Sequence, residues 1–288
     1  MLWARSFHEL TMRSILFRRG LRAAFLAMLL PALFACETVN TTQGGAIGLN
    51  RPQRMLISSQ EMVQAANTEY AQLIQQARQK GELNRNPAQL ARIRSISERL
   101  IPQTTVFRPD ARGWNWEVNV LSAQEVNAWC MPGGKIAVYT GLLDKIQPTD
   151  DELAAVLGHE IAHALREHAR ERASEQAVAG MGISILAALV GAGDAGQKGM
   201  EYAYQGLRGL PNSRSQETEA DRIGVELAAR AGYDPRAAIS LWQKMAKIGG
   251  GEPIAFLSTH PSAGDRMQDL SLYSQRVMPQ YEAARQRR

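Results

Sequence analysis

Two cysteines in 288 residues, Cys36 and Cys130, exclude a disulfide-stapled scaffold, which needs several pairs in a short chain. Histidine is almost as scarce, with five in the whole chain, so any spacing pattern among them carries weight. Long apolar runs are missing too. Residues 23–35 are too few for a membrane span, and residues 177–193, uncharged and rich in Ala and Gly, only touch the lower limit. No 34-residue unit recurs, which excludes a tetratricopeptide array. A charge field of one sign is also lacking. The net charge of +5 sits mostly in residues 1–35, whose five arginines and one glutamate, once removed, leave +1. Nucleic-acid binding therefore gains no support from the high isoelectric point.

Residues 1–35 read as a targeting segment, with Arg13, Arg18, Arg19 and Arg22 ahead of the apolar run. Met12 is an alternative start. The run ends Leu33-Phe34-Ala35-Cys36, which resembles a bacterial lipobox. Cleavage before Cys36 and acylation of its thiol would leave a lipid-anchored protein outside the cytoplasm, and Glu37 at the next position resembles lipoproteins sent to the outer membrane. A plain secretory signal that happens to contain a cysteine is the alternative. Cys130 then has no partner, and between Ala128, Trp129 and Met131 it is expected to be a buried, inert thiol. Residues 36–55, rich in Thr, Asn and Gly, read as a flexible tether.

The densest chemistry is Gly158-His159-Glu160-Ile161-Ala162-His163. Thr149-Asp150-Asp151-Glu152 matches a capping box, and Leu153, Val156, Leu157, Ile161 and Leu165 follow at helical spacing, predicting one helix over 150–173. Its far end, with Arg166, Glu167, Arg170, Glu171 and Arg172, reads as a polar tail. Residues four apart on a helix are stacked one turn apart, so His159 and His163 can converge on one ion, and two imidazoles with a carboxylate suit zinc. Glu160, next to the first histidine, can reach a water at the ion without taking a coordination place, the position of a general base. His168, about 180° from His159, is expected to face solvent.

A catalytic zinc needs a third protein ligand. Glu217 and Asp221 share a face of the next amphipathic helix, Glu217 placed to bind the metal and Asp221 to orient a ligand histidine, while Glu219 points elsewhere. A solvated acidic helix start is the alternative.

These motifs, with Ser213-Arg214 and Glu217-Thr-Glu-Ala220-Asp221, resemble the gluzincin metallopeptidases of the HtpX, BepA and LoiP type, relatives of the CaaX prenyl proteases. The resemblance covers residues 118–266. It implies that His159, His163 and Glu217 bind one zinc and that Glu160 is the catalytic base. Residues 127–134, Asn-Ala-Trp-Cys-Met-Pro-Gly-Gly, resemble the family's edge strand, which pairs with extended peptide; Trp129 and Cys130 depart from its commonest residues. Thr259-His260-Pro261, with Arg266 five residues past the proline, matches another family pattern and implies that His260 approaches the zinc. It would either hydrogen-bond a developing oxyanion or occupy the open coordination place in a latent form; a capping role is the alternative.

Helices are expected over 58–80 and 87–101, strands over 114–121, 125–131 and 135–139, and further helices at 177–193 (buried or lid-like rather than membrane-inserted), 194–210 and after Pro235 and Asp265. The expected fold is α+β, mostly helical and zincin-like, with a small antiparallel sheet beside the metal helix. Residues 56–288 form the peptidase domain, with N-terminal helices 56–101 and catalytic core 114–272. The expected function is a single-domain, LoiP-like zinc endopeptidase of the bacterial envelope, periplasm-facing, cutting misfolded or misassembled proteins. Alternatives are a chaperone or outer-membrane assembly factor with a latched zinc site, and an integral-membrane protease spanning at 177–193.

Overall fold

Thr149 and Glu152 form the capping box the sequence predicts, each side chain accepting from the other residue's backbone N–H, and helix α4 (Asp150–Leu165) runs on from it. The computed structural model describes residues 37–189, 212–249, 254–261 and 265–287. The targeting segment with Cys36, the end of the 177–193 stretch and all of 194–210 lie outside the described residues. The chain divides at Thr38, and the helices and the three-stranded sheet that carry the site belong to the unit from Val39 onward.

Ahead of α4 stand α1 (Ser59–Gln79), capped by Ser58 and Glu61, and α2 (Pro87–Leu100), capped by Asn86. Ile93, Ile96 and Leu100 of α2 enter the main core. Three strands follow, β1 (Glu117–Leu121), β2 (Ala128–Met131) and β3 (Lys135–Tyr139), and then a short helix, α3 (Thr140–Ile146), that periodicity did not announce. After α4 come α5 (His168–Leu189), α6 (Arg214–Arg230), α7 (Ala237–Gly249), α8 (Ala255–Thr259), α9 (Arg266–Arg276) and α10 (Met278–Gln286).

The sheet has the order β1-β3-β2 and is mixed rather than wholly antiparallel. The Pro132-Gly133-Gly134 turn, both glycines at positive φ, reverses the chain once between β2 and β3. β3 then lies in the middle and runs parallel to β1, with Val118 opposite Ile136. β2 is left as an edge strand packed against α4.

Two further expectations are corrected. The helix predicted over 150–173 is two helices: Arg166 caps α4, Glu167 takes a left-handed conformation at φ 51°, and α5 starts afresh at His168. The tether is not loose. Between residues 39 and 57, Gln43 N–H donates to Phe107 O at 2.7 Å, and the backbone N–H groups of Ala46 and Ile47 donate to the Glu226 carboxylate at 3.0 Å each. Ile47, Gln53 and Met55 are buried. Composition reads polar side chains as solvated, whereas here backbone N–H groups and one arginine find buried carboxylates. α5 continues through Leu189, and among the described residues no helix is long and apolar enough to cross a membrane.

Candidate metal centre

α4 and α6 cross with backbones touching. A Cβ on Gly158 would lie 2.8 Å from Gly224 O, and one on Gly224 would lie 2.8 Å from His159 N. Only two glycines allow that approach, which sets the His159 and His163 face of α4 against the Glu217 and Asp221 face of α6. From the other side α8 ends at His260, whose pre-proline backbone (φ −121°, ψ 74°) turns its ring inward. Phe256 stacks on that ring with centroids 4.3 Å apart.

His159, His163, Glu217 and His260 each offer one donor atom, these atoms lie within 4.8 Å of one another, and all four residues are buried. His159 Nε2 is 3.1 Å from both His163 Nε2 and His260 Nδ1. The Glu217 carboxylate is 3.0 Å from His260 Nδ1, 3.3 Å from His163 Nε2 and 3.4 Å from His159 Nε2. Four donors held 2.0–2.1 Å from an ion at the centre of a tetrahedron stand about 3.3 Å apart, so the spacing fits zinc.

Proton accounting agrees. Asp221 Oδ1 accepts from His159 Nδ1 at 2.9 Å, which leaves Nε2 of His159 a lone pair; with His163 protonated on Nδ1, the atom beside His168, its own Nε2 lone pair faces that one. Two lone pairs 3.1 Å apart need a cation between them. In the metal-free chain a proton supplies it: burial opposes charge on His159, but Glu217 and Asp221 outweigh burial and lift its pKa to about 10. His163 goes the other way, driven well below its usual value by burial and then by the charge of His159. Burial pushes Glu217 up, yet the charge of His159 and the histidines packed around it hold it far below the carboxylate range.

Glu160 lies beside the cluster without joining it. Its Oε1 is buried and accepts no hydrogen bond among the described residues, the ring Nε2 of His260 standing 3.5 Å away. Burial raises its pKa, with His260 and His159 opposing. A carboxylate so placed can take a proton from a reacting water.

The structure thus brings together all six site residues named from the sequence, while Cys36 lies outside the described residues. Sequence reasoning missed three others. Arg266 donates from Nη2 to Glu217 Oε2 at 3.2 Å and to Asp221 Oδ1 at 2.7 Å, and its guanidinium lies 3.3 Å over the Trp242 ring. His168, expected in solvent, is fully buried, with Nδ1 2.8 Å from His163 Nδ1. The helix break at Glu167 swings it inward, and neither glycine nor proline marks that break. Glu219 does point away from the cluster, as expected, but into the protein, where it accepts from His168 and Arg166. Arg166, Glu167, Arg170 and Glu171, the expected polar tail, are likewise buried. Cys130 is buried as expected, and burial raises its thiol well above its usual value.

Comparison with known proteins gives the same site a lineage. The chain is 40% identical over 159 residues to the mitochondrial metalloendopeptidase OMA1 of Arabidopsis thaliana, covering 55% of this chain and 32% of that protein. It is 27% identical over 246 residues to the metalloprotease LoiP of Escherichia coli, covering 84% of this chain and 96% of that one. To the beta-barrel assembly-enhancing protease of Yersinia pestis it is 29% identical over 224 residues, covering 74% of this chain and 44% of the other. The chain spans between about a third and a half of the length of the OMA1 relatives it matches. Residues 87–274, which hold every residue of the cluster, match the profile of peptidase family M48, and the chain belongs to that family.

Proposed function

We propose that the chain is a zinc-dependent endopeptidase in which His159, His163 and Glu217 hold the metal and Glu160 is the base. The observation that carries this reading is the pair of facing Nε2 lone pairs beside the partnerless Glu160 Oε1. Zinc, when bound, polarises the scissile carbonyl and lowers the pKa of water at the site towards about 7. Glu160 takes the proton of the attacking water on Oε1 and delivers it to the departing amine. Asp221 holds His159 with Nε2 free, and Arg266 ties Asp221 to Glu217. The β2 edge, packed against α4, holds an extended substrate by backbone pairing.

Substrates under this reading are exposed segments of misfolded or misassembled envelope proteins, and the chain reaches the membrane through a lipid at Cys36. Support comes from the lipobox-like 33–36 and from similarity to LoiP and to proteases named for barrel assembly. In the test, the full chain, wild type and Glu160→Gln, is purified in mild detergent and assayed for zinc content and casein cleavage. One zinc in each with cleavage only by the wild type is expected. Cleavage by Glu160→Gln at the wild-type rate sinks the assignment of the base.

A second reading is favoured by one observation: His260 stands at the fourth corner and the whole cluster is buried. In that reading the zinc site is latched and the working activity is binding of unfolded chains at the β2 edge. Binding that persists in zinc-free protein, with no cleavage from any variant, separates the two.

A further inference from the structure

The two metal-facing histidines of α4 are braced differently. His159 is held directly by a carboxylate, its Nδ1 2.9 Å from Asp221 Oδ1. His163 is held through a second imidazole: its Nδ1 lies 2.8 Å from His168 Nδ1, and His168 Nε2 lies 3.0 Å from Glu219 Oε2. The order of protons along that chain can be worked out from its far end. Glu219 is fixed as an acceptor, because two guanidinium groups donate to its carboxylate, Arg166 from Nε at 2.9 Å and Arg51 from Nη2 at 3.0 Å. A carboxylate so held only accepts, so a neutral His168 carries its one proton on Nε2. Its Nδ1 is then a bare lone pair, and the only proton that can fill the 2.8 Å gap belongs to His163 Nδ1. His163 is thereby left with Nε2 bare, and Nε2 is the atom that faces His159 and Glu217. In the other tautomer His163 would aim an N–H at the ion.

We propose that His168 is a positioning residue which, oriented by Glu219, locks His163 in the tautomer that can bind metal. The inference rests on reading the cluster as a zinc site and extends it one layer outward. Second-layer partners of metal-binding histidines commonly act in this way, but usually by a direct carboxylate or carbonyl contact. Here the carboxylate acts through an imidazole, which transmits a preference for one proton position without placing a second negative charge against the ligand.

The test uses the full chain with zinc as probe, comparing wild type, His168→Phe, His168→Gln and Glu219→Gln. Zinc affinity is read by competition with a chromophoric chelator, and the His163 tautomer by long-range 1H–15N NMR of histidine-labelled, zinc-loaded protein. Phe fills the ring volume and relays nothing, so His168→Phe should bind zinc roughly 10- to 100-fold more weakly. Gln can place an amide oxygen towards His163 and an amide N–H towards Glu219, so His168→Gln should recover most of the affinity and keep the His163 Nδ1–H signal. Equal affinity in wild type and His168→Phe overturns the proposal. So does a folded His168→Gln no better than His168→Phe, since packing alone would then explain the loss. Should His168→Phe fail to fold, Glu219→Gln decides: weakened binding is expected, and wild-type affinity with an unchanged His163 signal overturns the relay. Absence of zinc from the wild type is a separate outcome that removes the metal-site reading and this proposal with it.

Discussion

Which nitrogen each ring turns inward sets what the cluster can do. His159 and His163 present Nε2 and keep Nδ1 for Asp221 and His168, while His260 presents Nδ1 and aims Nε2 at Glu160, 3.5 Å off. With Glu217 these make three imidazoles and a carboxylate, a closed set that leaves no place for water, whereas a catalytic zinc keeps one position open. His260 is the member free to leave. It follows the five-residue helix α8, and among the described residues its backbone N–H donates to Phe256 O at 2.9 Å. His159, His163 and Glu217 belong to longer helices of 16 and 17 residues. Replacing His260 by Ala should therefore open the fourth position and leave three ligands. The expected outcome is zinc retained at one per chain with casein cleavage raised above the wild type. Cleavage lost while zinc stays would assign His260 to transition-state stabilisation instead, because the latch and the oxyanion role predict opposite signs for the same variant.

Between elements, the crossing of α4 and α6 does most of the positioning. Any side chain at Gly224 meets the backbone of His159, with 2.8 Å between its Cβ and the amide nitrogen, and backbone cannot swing aside as a flexible side chain can. Gly224→Ala should push α6 off α4 by a few tenths of an ångström at least and move Glu217 and Asp221 away from both histidines. Overpacking of this kind costs about 1–3 kcal/mol. The expected result is a lower urea midpoint in zinc-free protein together with weaker zinc binding, measured on the same preparation. A loss of stability without loss of affinity would show that the ligands do not depend on the crossing. The motif itself was legible in the sequence because helical period alone stacks His159 on His163 and Glu217 on Asp221. Legible too was the start of α4, since the Thr149 and Glu152 cap is local chemistry. What stops α4 was not legible: Glu167 adopts φ 51° with none of the usual residues for it, held by Arg108, Arg170 and Ser59 from elsewhere in the chain. His168 was misplaced for that reason alone. The parallel β1–β3 pair was hidden as well, because period two fixes which face a residue takes but not which strand lies beside it.

Across the whole molecule, the feature that no local window could show is a buried network of charges contributed by segments far apart in sequence. Arg51, from residues 39–57, donates to Glu171 of α5 at 2.6 Å and to Glu219 of α6, and Arg166 at the end of α4 donates to Glu219 at 2.9 Å. Gln53 donates to Glu171 Oε2 and to Arg166 O. The stretch that reads as a tether therefore helps close the layer behind His163. Removing one partner of a buried pair costs about 3–5 kcal/mol, and the Arg51 side chain is 33% exposed and Glu219 keeps other partners, so Arg51→Ala should cost about 1–3 kcal/mol at neutral pH. The pH dependence has a definite sign. Glu171 and Glu219 are both held below their usual values, burial opposing and Arg51 among the groups that lower them. Their contribution is thus complete above the unfolded carboxylate value near 4.3 and is lost as pH falls through the lower folded values, to about 2 for Glu219. Without Arg51 those folded values move back towards the unfolded one, so less stability remains to be lost. Urea unfolding of the zinc-free full chain between pH 7 and pH 3 should show Arg51→Ala weaker at pH 7 and shallower in its decline below pH 4.5. Wild-type stability with a wild-type decline would mean that residues 39–57 do not dock in solution, and the route from the N-terminal segment to His163 would have to be given up.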